Sequence, residues 1–208
     1  MKKRKWLYGA LAGISFIFIV YALADNFIFD PEAKQFLSHK TGLRRELKPA
    51  VWLNVMHIHV ALACIAMATG LINFLKRVRD RSILVHRING YVYLISVLVV
   101  VLTSGYMAPY ATGGKIASIG FNAINMIWLI ITATALVQIK KKRIQAHRNW
   151  MVRSYAFCFT NLSIHLVTAL FHQGFGFQYV TGYTIGVYGT IALLLAIPEA
   201  ILRKLEPA

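Results

Sequence analysis

Six long apolar runs alternate along the chain with short basic or mixed segments: Trp6 to Ala24, Ala50 to Leu75, Ile88 to Ala108, Ile116 to Ile139, Trp150 to Phe171 and Val180 to Leu202. A helix crosses a bilayer core about 30 Å thick in roughly 20 residues, and each run is of that order. Hydrocarbon offers a backbone amide no partner, so a spanning segment must form a helix or join a closed barrel. Barrel strands would show as stretches of about ten residues with alternating polarity, and the chain has none. The pattern predicts an all-α bundle of six transmembrane helices, a single integral membrane domain over residues 1–208.

Composition agrees. Of 208 residues, 58% are hydrophobic and 14% charged, and the mean hydropathy is +0.58. Soluble domains run at about 45–50% apolar and about 25% charged. The formal net charge of +16 would suggest nucleic acid in a soluble chain. Here the basic residues fall between uncharged runs, as in the cytoplasmic loops of a polytopic protein, so membrane lipid is the expected partner and nucleic acid is not. Cys64 and Cys158 lie inside apolar runs and suggest neither a disulfide framework nor a zinc site.

The basic residues also predict sidedness. Sixteen lie on one side: Lys2 to Lys5, Lys76, Arg77, Arg79, Arg81, Arg87, Lys140 to Arg143, Arg148, Arg203 and Lys204. The other side has six: Lys34, Lys40, Arg44, Arg45, Lys48 and Lys115. The positive-inside rule then places both termini in the cytoplasm of a multi-pass cell-membrane protein, with residues 25–49 forming an extracytoplasmic loop. The first span resembles a signal peptide in its basic start and its Ala22-Leu23-Ala24 end, but its apolar run is longer than a signal core, so an uncleaved helix is expected. Trp6, Trp52 and Trp150, with Tyr91, Tyr93, Tyr106, Tyr110 and Tyr179, read as interfacial aromatics. Gly9/Gly13 and Gly182/Gly186, with Gly189 one turn on, are spaced for close helix packing.

Histidine carries the candidate chemistry. His39 falls in the outer loop, whereas His57, His59, His86, His147, His165 and His172 fall in or at the ends of spans. The topology sorts His86 and His147 to the inner face and His59, His165 and His172 towards the outer one. Carboxylates are nearly absent from the spans, and imidazole without acids suits neutral metal ligation better than a proton relay. His147 and His165 are 18 residues apart, five turns of an ideal α-helix, which places both rings on one side, about 27 Å apart along the axis. His59, Ala63, Ala66, Gly70 and Asn73 form one stripe whose small side chains leave room for a flat macrocycle or simply for tight packing. His57 lies about 200° round from His59, which makes His59 the choice for the outer cluster.

Two spans open with His-Arg, at His86-Arg87 and His147-Arg148. At a b-type haem the histidines would ligate iron axially and the arginines would pair with propionates; otherwise the two dipeptides are interfacial charge. Arg153, further into its span, either snorkels to the cytoplasmic face or contacts a quinone or propionate. No phosphate-binding glycine loop, nucleophile elbow or metalloprotease helix is present.

His59, Gly70 and Phe74, then His86-Arg87 with Gly90 and Tyr91, then His147-Arg148-Asn149-Trp150-Met151-Val152-Arg153-Ser154-Tyr155 resemble a family of bacterial predicted membrane proteins, domain of unknown function 2306. The resemblance spans roughly residues 55 to 170 and implies a membrane fold with no assigned activity. In layout the chain is similar to transmembrane di-haem cytochromes b, although its fourth span has no His. That similarity implies two haem b groups, an inner pair His86 and His147 and an outer pair His59 and His165, with Arg87 and Arg148 near propionates. It also implies electron transfer through a membrane oxidoreductase or electron carrier, with quinone or another redox protein as partner. The alternatives are a His-dependent metal-ion or proton transporter and an accessory protein without chemistry of its own.

Overall fold

The computed structural model describes residues 2–38 and 46–205; His39, Lys40, Arg44 and Arg45 lie outside them. The described residues are helical nearly throughout, with no strand. Helix α1 (Lys2–Ala24) runs on as a π turn (Asp25–Phe29), and a short α2 (Lys34–Ser38) follows. Then come α3 (Pro49–Asn73), the short basic α4 (Lys76–Arg81) and α5 (Ile83–Met107), which ends in a 3₁₀ turn (Ala108–Tyr110). Helix α6 (Gly114–Lys140) starts from Gly113, whose φ of 91° is a left-handed conformation natural to glycine. The fifth run is not one continuous α-helix: α7 (Ile144–Ala156), a 3₁₀ turn (Phe157–Phe159), α8 (Thr160–Ala169) and a π turn (Leu170–Gly174) follow one another. Helix α9 (Tyr179–Leu205) closes the order.

Six helical segments are long and apolar enough to cross a bilayer: Tyr8–Phe29, Pro49–Asn73, Ile83–Tyr110, Gly114–Lys140, Ile144–Gly174 and Tyr179–Lys204. They coincide with the six apolar runs, with ends moved by a few residues. Large apolar side chains such as Phe16, Ile17, Leu102 and Ile130 are exposed, while Ser15, Ser96, Thr132, Ser154 and Thr190 are buried. Apolar outside and small polar within is how a bundle solvated by hydrocarbon sorts its side chains, because lipid tails impose no penalty on exposed Leu or Phe. The chain is an all-α, multi-pass membrane protein.

The helices pack as two compact units, Met1–Gln35 with Pro49–Thr103 and Phe36–Lys48 with Ser104–Ala208. In the first unit α3 runs antiparallel to both α1 and α5. Tyr8 Oη donates to the Leu71 carbonyl (3.1 Å), Asn89 Nδ2 donates to the Thr69 carbonyl (2.7 Å), and His59 meets Thr103 at the other end of the pair. Gly90 faces Asn73 of α3, and a Cβ there would make an ordinary 3.5 Å contact with Asn73 Nδ2.

In the second unit α7 and α8 run antiparallel to α6 and α9, which are parallel to each other. A Cβ on Gly186 would sit 2.6 Å from Thr168 Oγ1 and 2.9 Å from the Ile164 carbonyl, so the packing expected at Gly182/Gly186 is tight at Gly186, while at Gly182 the nearest atoms are at an ordinary 3.4–3.5 Å. A Cβ on Gly120 would meet Val187 at 2.6 Å, a second close approach, between α6 and α9. Gly9 and Gly13 have nothing within 4 Å, so the spacing that suggested packing there reflects an exposed face of α1. Trp52 and Tyr93, expected at the membrane interface, are instead core residues at 2% and 0% exposure. Their large rings fill space between helices, and depth along a helix does not reveal which side a ring faces.

Candidate histidine sites

Hydrogen bonds engage the rings of His57, His59, His147 and His172. In the second unit, Lys141–Arg143 form a tight turn, with Lys142 at φ 59°, that folds α7 back along α6. His147, in the first turn of α7, thereby comes within 2.8 Å of the Ala135 carbonyl through Nδ1. A carbonyl oxygen can only accept, so Nδ1 holds the proton and Nε2 of the neutral ring presents a lone pair.

His59 in the first unit is held the same way by a different group. Its Nδ1 lies 3.0 Å from Thr103 Oγ1 on α5. The Thr103 hydroxyl already donates along its own helix, to the Val99 carbonyl at 2.7 Å, so it accepts from the imidazole. With Thr103 donating along its own helix, the proton of the His59 ring sits on Nδ1. Its stripe is an inward face: Ala66 and Gly70 are buried, and His59, Ala63 and Asn73 are half-buried.

The remaining histidines differ. His57 donates from Nε2 to the Pro31 carbonyl (3.1 Å), with its ring 5.0 Å from that of Phe27, so it fastens the segment after α1 to α3. His172 donates from Nδ1 to the Phe177 carbonyl (2.7 Å) and meets Tyr179 edge-on, which closes the π turn. His86 is half-buried at the start of α5, and Arg87 and Arg148 are exposed beside their histidines.

His165 is exposed on α8. The whole-turn relation to His147 fails because the 3₁₀ turn Phe157–Phe159 lies between them. Three residues at 120° rather than 100° each advance the register by about 60°. Each pair expected from sequence draws one member from each unit: His59 and His86 from the first, His147 and His165 from the second.

Two polar arrangements were not anticipated, and both lie in the second unit. Arg153 pairs with Glu199 on α9 through Nε (2.5 Å) and Nη2 (3.1 Å), and its guanidinium lies 4.8 Å from the Trp150 ring. The sequence signal was available: Arg153 and Glu199 are an acid and a base inside neighbouring apolar runs, where ionised groups persist by pairing. Next to it, Ser154 joins α7 to α6. Trp128 Nε1 donates to Ser154 Oγ (3.3 Å), Ser154 shares a 2.7 Å bond with Thr132 Oγ1, and Thr132 donates back to the Trp128 carbonyl (2.8 Å). Three donors and three acceptors close this ring, and nothing in the local sequence predicts it.

Among the described residues, no three His, Cys, Asp or Glu side chains are grouped to hold a metal ion. The family model for a predicted membrane protein (DUF2306) matches residues 56–202. No curated protein and no solved structure matches the chain.

Proposed function

We propose, from the premise that this chain belongs to the DUF2306 family of predicted membrane proteins, that it binds haem b and carries electrons in the cell membrane. The carrying observation is His147, whose Nδ1–H is engaged by the Ala135 carbonyl so that Nε2 is the nitrogen left to ligate; His59 Nδ1 has a comparable partner in Thr103. Metal-bound histidines characteristically have this second-shell bond, which sets the tautomer and ring orientation and raises ligand basicity.

The donor set fits haem better than a bare ion. A protein-bound cation needs three or four side-chain ligands, and no such group exists among the described residues. Haem asks the protein for one or two axial ligands. Taken unit by unit, His147 in the second suits an inner group, and in the first half-buried His86 suits an inner group and His59 an outer one. His165, on an exposed face, fits less well, so the outer group rests on His59. Arg87 follows His86 and Arg148 follows His147 as guanidinium partners for propionates. Bound haem would supply a one-electron iron couple, with a membrane quinone or a second redox protein as exchange partner. The basic helix ends face the cytoplasm in this reading.

The test is chemical analysis of protein purified from cells supplied with haem. Haem b at near-stoichiometric amount supports the reading. A transition metal in its place would move the histidines to the metal-ion reading. Neither would leave an accessory role and overturn the proposal.

A further inference from the structure

The first unit carries opposite charge at its two ends. Tyr8 bonds the Leu71 carbonyl, so the start of α1 lies at the same end as the close of α3 and the short α4 that follows it. There α1 contributes the four basic residues Lys2 to Lys5, and α4 adds Lys76, Arg77, Arg79 and Arg81 with one acid, Asp80. At the other end, where His57 reaches Pro31, Asp25, Asp30 and Glu32 stand against Lys34, which Glu32 pairs at 2.9 Å.

The four cations of α4 are exposed, and Val78 between them is half-buried. Asp80 is shared by Lys76 (3.9 Å) and Arg79 (3.6 Å). Among the described residues no carboxylate pairs with Arg77 or Arg81. These two stand at i and i+4 on one face of α4, about 5–6 Å apart at Cβ.

Apolar surface begins directly beside them. Ser82 joins α4 to α5, its Oγ accepting from the Val85 N–H at 3.3 Å. On the first turns of α5, Leu84 and Ile88 share a face and are 63% and 55% exposed. Guanidiniums without a carboxylate next to uncovered aliphatic side chains complement a molecule with an anionic phosphodiester at one end and acyl chains at the other. An arginine fork holds two phosphate oxygens through parallel N–H bonds, which gives such a contact direction as well as charge.

We infer that the first unit binds an anionic glycerophospholipid at the α4–α5 corner, its phosphate held by Arg77 and Arg81 and an acyl chain lying along Leu84 and Ile88. A zwitterionic lipid has the same phosphate, but its ammonium group opposes the field of the basic end, so selectivity for net negative charge is the signature of the site. The site uses none of the histidines and is independent of haem.

The test is electron paramagnetic resonance of spin-labelled phosphatidylglycerol and phosphatidylcholine with the full chain in phosphatidylcholine vesicles at low ionic strength. The protein should associate preferentially with phosphatidylglycerol, and equal association of the two lipids overturns the site. Arg77 and Arg81 are exposed, so Arg77→Gln/Arg81→Gln leaves the packing intact. Its preference should fall about fivefold or more, since one basic residue at an anionic surface is worth about that factor. Lys2→Gln/Lys3→Gln removes two charges from the same end and should keep most of the preference. An equal fall in both variants would reveal a diffuse attraction and contradict the assigned pair.

Discussion

His147 Nδ1 and the Ala135 carbonyl oxygen, 2.8 Å apart, couple the first turn of α7 to the last turns of α6. The bond commits Nδ1–H to the backbone, so Nε2 is the nitrogen that the proposal gives to iron. His147→Ala is expected to remove one haem component that His59→Ala spares. Redox titration of each variant followed at the haem bands checks this. Loss of the same component from the His147 and His59 variants would contradict two separate groups.

Thr103 supports His59 as Ala135 supports His147, through a side chain that can be changed. Thr103→Val keeps the volume and removes the acceptor, so the Nδ1 proton loses its anchor. Second-shell losses of this kind typically lower affinity by about 10–100-fold. Haem titration of the purified variant should show that drop in the component lost in His59→Ala, with the other unchanged.

Gly186 and Gly9 belong to the same type of sequence motif and have opposite surroundings. Gly186→Ala drives a Cβ into Thr168 and the Ile164 backbone and should cost about 1–3 kcal/mol. Gly9→Ala meets nothing within 4 Å and should be neutral or slightly stabilising. Thermal unfolding in detergent distinguishes them.

Ser154→Ala opens the ring that includes Trp128 and Thr132, leaving a buried indole N–H without its acceptor. The expected loss is about 1–2 kcal/mol, visible as a lower Tm. Thr132→Val should cost less, because Ser154 can still accept from Trp128.

The spans were legible in the sequence because a single requirement, enough apolar residues to cross hydrocarbon, sets both length and composition. The Gly182/Gly186 contact was legible too, although the same spacing at Gly9/Gly13 packs against nothing. Facing directions were harder. Trp52 and Tyr93 have the composition of interfacial aromatics and sit in the core because neighbouring helices leave volume there. The His147–His165 relation assumed an unbroken helix, and the 3₁₀ turn among Phe157, Cys158 and Phe159 has no proline or glycine to announce it. The bonds of His59 and His147 depend on which neighbour's acceptor arrives, which is a property of packing. Arg153 and Glu199, by contrast, were the charges left over inside the apolar runs, and pairing them needed only the question of what each would do alone.

The most direct measurement is a reduced-minus-oxidised difference spectrum of the purified protein from haem-replete cells. The account predicts b-type haem bands that are lost, wholly or in part, when His147 is replaced. A flat spectrum from folded protein would contradict it.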